Sequence, residues 1–335
     1  MQEMGERSDY NYVFGVFKSR ENELLDESRI ESLLKSAGFE EAVPQIPESP
    51  FAEELRKLKN ESGIDSGISR EFEEINSFLQ LNSPSAELKN LVFIPWDFFN
   101  LKVAILSKIK DKHIDNLYGP EGNVSIEQLK ISTEDMNFSN LPQNLYDALQ
   151  QAWISYYETD KNTQAFEFTL DREKNLLLTE TALFTGSKDL IDFFKAVEEL
   201  KLGELIIRAK EASIEWNLVA KGLKESSLVD NFKDIYPNQP QEWQGYISSL
   251  RDSLLKRILY AFSEKQNISE IILVSKQELN SYLERWKYYS PSIEYAYYFL
   301  ARKFADLYNI RLILLGKLTG ISIETLKKRI LNVCV

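Results

Sequence analysis

A chain of 335 residues exceeds what one hydrophobic core usually serves, so two or three domains are expected. Its composition, 43% apolar and 27% charged with 13 glycines and 10 prolines, is that of a globular protein rich in helix. A formal charge of −12 argues against broad nucleic-acid binding, and a single histidine and a single cysteine exclude Ser-His-Asp and Cys-His catalysis, His-rich zinc sites and zinc fingers.

The opening, MQEMGERSDYNY, has no apolar run ending in a small-residue cleavage site, so no signal peptide is expected. Residues 1–80 hold 18 acidic against 9 basic side chains, a net of −9. Apolar spacing of three and four predicts helices at 28–37, 69–81, 95–110, 143–157, 171–184, 187–222, 240–264, 275–288, 291–318 and 322–332. Within this series Glu73 and Glu74 are adjacent and point apart, and Asp189 and Asp192 read as helix-start acids favoured by the dipole. His113, in KIKDKHID, reads as a solvated residue near a helix end, and LYGPEGN (117–123) and DIYPNQPQ (234–241) read as loops. Ile271 to Val274 is the main run that also suits a strand. No apolar run approaches the roughly 20 residues of a membrane span. Near the end, Pro291 is placed just inside a helix start and Gly320 just past a helix end. Ser322 opens the next helix, with Glu324 in its first turn. Cys334 has no intrachain partner for a disulfide, which suits a reducing compartment. The fold class is all-α.

Residues 306–320, DLYNIRLILLGKLTG, raise a separate question because Gly316-Lys317 is followed closely by Thr319. A phosphate-binding loop needs a glycine five residues before the Gly-Lys pair and Ser or Thr directly after it, but Arg311 and Leu318 stand there. A helix accounts for the stretch instead, with Ile310, Ile313 and Leu314 on one face and Asp306 in reach of Arg302. Arg311 and Asp306 are read as structural pairing residues, with partner contact as the alternative, Gly316 as a site of close helix approach and Gly320 as the helix stop. Residues 301–335 carry a net charge of +5, and Lys327, Lys328 and Arg329 form a basic group suited either to solvent or to contact with acidic partners or lipid headgroups.

The same stretch also has counterparts. DFFNLKVAILSK (97–108), ELKLGELIIRAK (199–210) and DLYNIRLILLGK (306–317) each begin with an acid (Asp97, Glu199, Asp306), carry an aliphatic run and close on a lysine (Lys108, Lys210, Lys317). Asn100 and Asn309 share the fourth position, where the middle copy has Leu202. The copies lie 102 and 107 residues apart, which divides the chain into three helical units, 1–118, 119–230 and 231–335. Asp97, Glu199 and Asp306 are then expected at equivalent places in three similar domains.

The segment from Asp306 to Arg329, with Asn309, Ile310, Arg311, Gly316, Lys317, Gly320 and Glu324, resembles the C-terminal signature of the C subunit (the d subunit in eukaryotes) of vacuolar- and archaeal-type rotary ATPases. YNYVFGVFKSRENELLDESRIESLL (10–34) resembles that family's N-terminal aromatic helix and the helix after it. LDREKNLLL (170–178) resembles the start of its middle unit, and residues 97–108 its Asn-Leu-Lys helix. The resemblance implies a funnel-shaped protein of three similar helical domains in pseudo-threefold arrangement, without active site, metal or cofactor. It implies a place on the cytoplasmic face of the membrane rotor ring, holding the foot of the central stalk, with membrane association only through the complex. No catalytic constellation or nucleotide motif can be assembled from the residues themselves, and no nucleotide or nucleic-acid partner is expected. Two other readings fit an all-α chain: a helical scaffold for an unrelated protein, and a magnesium-dependent enzyme built on carboxylates such as Glu73, Glu74, Asp189 and Asp192.

Overall fold

The computed structural model describes residues 3–57, 60–112, 117–223, 232–264 and 267–330, and every regular element among them is a helix. His113 and Cys334 lie outside the described residues. The chain divides into two compact units, Met1–Val92 with Asn280–Val335, and Phe93–Leu279.

The first unit contains α1 (Glu3–Ser19), α2 (Glu27–Lys35), α3 (Pro50–Lys57) and α4 (Glu61–Asn82) from the start of the chain. Two further helices come later: α12 (Ile293–Thr319) and the short α13 (Ile323–Lys327). Side-chain caps fix the helix starts: Asp26 accepts from the Arg29 N–H, Asn60 from Gly63 and Ser292 from Tyr295. Pro291 therefore stands just outside its helix, because Ser292 takes the capping place. Stacked rings form the core, with Phe17 on Phe299 (4.5 Å between centroids) and Phe72 on Phe304 (4.4 Å). Gly67 lets α3 and α4 approach closely, since a Cβ there would lie 2.8 Å from the Phe51 ring. Gly320, at φ 72°, ends α12 in the left-handed conformation that costs glycine nothing.

The second unit contains α6 (Ile126–Glu134), α7 (Gln143–Glu158), α8 (Thr163–Phe184), α9 (Lys188–Glu211) and α10 (Leu254–Ser263). The boundaries between the units fall inside α5 (Ala86–Lys110) and at α11 (Ile268–Trp286). Trp243 and Phe232, both fully buried, form with Tyr236 and Trp216 an aromatic core beneath α9 and α10.

Element by element, the structure departs from the expected helices in several places. The helix expected over 187–222 ends at Glu211, where Ser213 turns at φ 55° and a new turn begins at Trp216. The helix expected over 240–264 is interrupted after Ser249, and Ser253 caps a fresh start at Leu254. Ile271 to Val274 are helical within α11. Among the described residues, α1, α3, α6 and a short helix at Phe39–Ala42 had no counterpart in the periodicity. Proline opens α3, and its residue Ala52 donates to the Ser49 hydroxyl. The start of α6 follows a Ser-x-x-Gln sequence, with Ser125 accepting from Gln128 N–H.

Candidate functional site

Asp97, Glu199 and Asp306 each accept a backbone N–H. Asp97 is 5% exposed; it accepts the Val124 N–H at 2.9 Å and the Asn123 side-chain amide at 2.9 Å. Glu199 accepts the Leu255 N–H at 3.2 Å. Asp306, 2% exposed, accepts the Leu25 N–H at 2.8 Å. Each amide lies beside a helix start: Val124 and Leu25 immediately precede the capping residues Ser125 and Asp26, and Leu255 is two residues past Ser253. A carboxylate at such a place satisfies an otherwise orphaned donor and lies near the positive end of a helix dipole. An acid on one long helix thereby fixes where another helix begins.

Neighbouring positions of the repeat add to the grip. Asn100, fully buried, accepts the Gly119 N–H and donates to the Pro120 carbonyl, both at 2.8 Å, so Asp97 and Asn100 together hold the loop 117–123. Asn309 is also fully buried, whereas Leu202 packs against the aromatic core. Two of the three closing lysines donate to carbonyls. Lys210 reaches those of Tyr236 (2.7 Å) and Pro237 (3.1 Å), and Lys317 reaches Leu34 (3.1 Å) and Ser36 (2.6 Å) at the end of α2. Lys108 is exposed.

Residues 311–318 lie within the continuous helix α12, so their amides do not form an open anion nest. Lys317, whose pKa is lowered by loss of solvent, is committed to the α2 carbonyls. Arg311 forms an exposed ion pair with Asp65 at 3.0 Å. Arg302 and Asp306 meet on one residue: Arg302 donates to the Leu25 carbonyl at 3.2 Å while Asp306 accepts the Leu25 N–H. Lys327, Lys328 and Arg329 are exposed on and just after α13. Glu74 pairs with Arg20 at 3.3 Å, Glu73 is exposed, and Asp189 lies in the first turn of α9 behind its cap Ser187.

Asp306 is also electrostatically perturbed. Its Oδ1 is buried without a hydrogen-bond partner. Burial pushes its pKa up to about 7, against the opposing pull of the Leu25 N–H and the Arg302 and Lys303 charges. Close by in the chain, Lys303 pairs with Glu23 at 2.8 Å and Glu71 at 3.1 Å, and Arg20 pairs with the same two carboxylates. Sequence reading missed this network; only the Arg20–Glu23 spacing of three was legible. In the second unit, Lys102 holds both oxygens of Asp171 at 2.7 Å, joining the Asn-Leu-Lys and Leu-Asp-Arg segments 69 residues apart. Burial opposes ionisation of Asp171, but the Lys174 and Lys102 charges outweigh it and hold its pKa below the usual range.

The arrangement thus consists of anchors and clamps. The model of the ATP synthase (C/AC39) subunit family matches residues 14–329. The chain belongs to that family. Two C/AC39 relatives align over almost all of it. The C subunit of the A-type ATP synthase of Methanocaldococcus jannaschii is 22% identical, covering 96% of this chain and 86% of the relative. The C subunit of the V-type sodium ATPase of Enterococcus hirae is 21% identical, covering 97% and 99%. The C/AC39 match takes in all three acid anchors, the Lys102–Asp171 pair and the basic group at the end of α13. Among the described residues of this C/AC39 chain, no helix is long and apolar enough to cross a membrane.

Proposed function

We propose that this chain is the non-catalytic central-rotor linker of a V/A-type rotary ATPase, a socket on the cytoplasmic face of the membrane that couples the central stalk to the rotor ring. The observation that carries the reading is the family match over residues 14–329, together with relatives named as the C subunits of an A-type synthase and of a V-type sodium ATPase. A linker must transmit torque without slipping, and close-packed helices pinned at their starts suit that demand. The chemistry of nucleotide hydrolysis belongs to other subunits in this reading.

The anchors support three related units, 1–118, 119–230 and 231–335, in a closed cyclic order. Asp97 in the first reaches Val124 in the second, Glu199 in the second reaches Leu255 in the third, and Asp306 in the third reaches back to Leu25 in the first. Such a pattern suits a pseudo-threefold arrangement of domains. Lys327, Lys328 and Arg329 are the proposed contact with an acidic partner. The test is purification of the tagged chain from native membranes with identification of its companions, alongside calorimetric titration of the isolated chain with ATP. Stalk and ring proteins should co-purify and ATP should give no micromolar binding; an unrelated partner set, or micromolar nucleotide binding, would overturn the reading.

A further inference from the structure

A groove in the second unit stands apart from the anchors. It is open-sided, with a volume of about 360 Å³, and lies between the α6–α7 connection and one face of α7. Buried Phe138 and Leu149 form its floor, and Met136, Tyr146, Trp153 and Tyr157 form its walls. Trp153 is fixed by ring contacts to Tyr156 (5.3 Å) and Phe166 (5.1 Å). Tyr157 stacks on it at 6.0 Å while remaining 63% exposed.

Met136 is strained into this wall. At φ 50° it occupies the left-handed position that closes α6, with the Asn137 N–H returning to the Ser132 carbonyl at 2.9 Å. Glycine meets that backbone without penalty, whereas an L side chain is strained there. Met136 lies 48% exposed at the groove, and methionine adapts to varied apolar partners.

Charge selects the occupant. Residues 131–157 contain three acids, Glu134, Asp135 and Asp147, and no lysine or arginine. All three are exposed, with Asp135 next to Met136 and Asp147 next to Tyr146. An anionic lipid surface would be repelled by these neighbouring acids. An apolar stripe flanked by lysine or arginine suits both the ring-lined groove and the exposed acids adjoining its lining residues in sequence, and a helix presents such a stripe at spacings of three and four. We propose that this groove docks a basic amphipathic helix of a partner protein, at a site separate from the acid anchors.

The probe is a labelled amphipathic peptide of about five turns, with leucine at helical spacing and lysine elsewhere, compared with a sister peptide in which glutamate replaces every lysine. Anisotropy titration against the full chain should show the lysine peptide binding at least about tenfold tighter than its sister. Tyr157→Ala and Met136→Gly should each weaken it by about tenfold, whereas Tyr12→Ala, at a tyrosine 61% exposed in the other unit, should leave it unchanged. Because Met136→Gly relieves backbone strain, its thermal midpoint should equal or exceed that of the native chain, so lost binding is not lost folding. Equal affinity for the two peptides, no binding of either, or an equal effect of Tyr12→Ala and Tyr157→Ala would overturn the proposal.

Discussion

At Asp306 one carboxylate oxygen serves the Leu25 N–H and the other is buried without a partner. An acid whose folded pKa, here about 7, lies above its unfolded value near 4 takes up a proton on folding. Its contribution to stability is fully present below the unfolded pKa and is lost as pH rises through the folded one. Asp306→Asn keeps an acceptor for Leu25 and carries no charge. Thermal unfolding across pH 4–8 should therefore show a fall in native stability that the variant largely lacks, with the variant the more stable at pH 8 by up to a few kcal/mol. A variant less stable than native at pH 8 would mean the charged form is the one the fold prefers. Gly122 tests the anchor at Asp97. A Cβ there would lie 2.2 Å from Asp97 Oδ1, so Gly122→Ala should cost about 1–3 kcal/mol in denaturant unfolding, by forcing the carboxylate from the Val124 amide.

Among the elements, α12 concentrates the packing. Ile313 is fully buried on its core face, and Ile313→Asp should destabilise the protein by several kcal/mol in thermal unfolding, because a buried carboxylate gains no partner there. The long helices α5, α8, α9 and α12 were legible in the sequence because their apolar spacing persists over many turns. The short helices α3 and α6 carry too few apolar residues for a period, and capping chemistry at Ser49-Pro50 and Ser125 was the signal available. Repeat comparison picked out Asp97, Glu199 and Asp306 but not their partners, since a backbone amide leaves no trace in residue identity. The reach of Lys303 to Glu23, 280 residues away, is invisible to any local pattern. At the end of α13, Lys327 and Lys328 are exposed. The double change Lys327→Glu with Lys328→Glu should leave the thermal midpoint within a few degrees of native. It should weaken assembly with stalk and ring, most at low salt where surface charge is least screened.

For the whole molecule, the proposed role separates transmission from chemistry. Acid anchors that pin one helix start to another, and ion pairs such as Lys102–Asp171, are features of a part that resists deformation; none of them supplies a reactive group. A rotary assembly deprived of such a part would keep its catalytic head and lose the path from stalk to ring. The decisive measurement is a paired assay of ATP hydrolysis and ion transport on membranes with and without this chain, followed by its add-back. Hydrolysis should be largely retained without the chain, and transport should be abolished and then restored by the native protein; ion transport that persists after its complete removal would contradict the linker role.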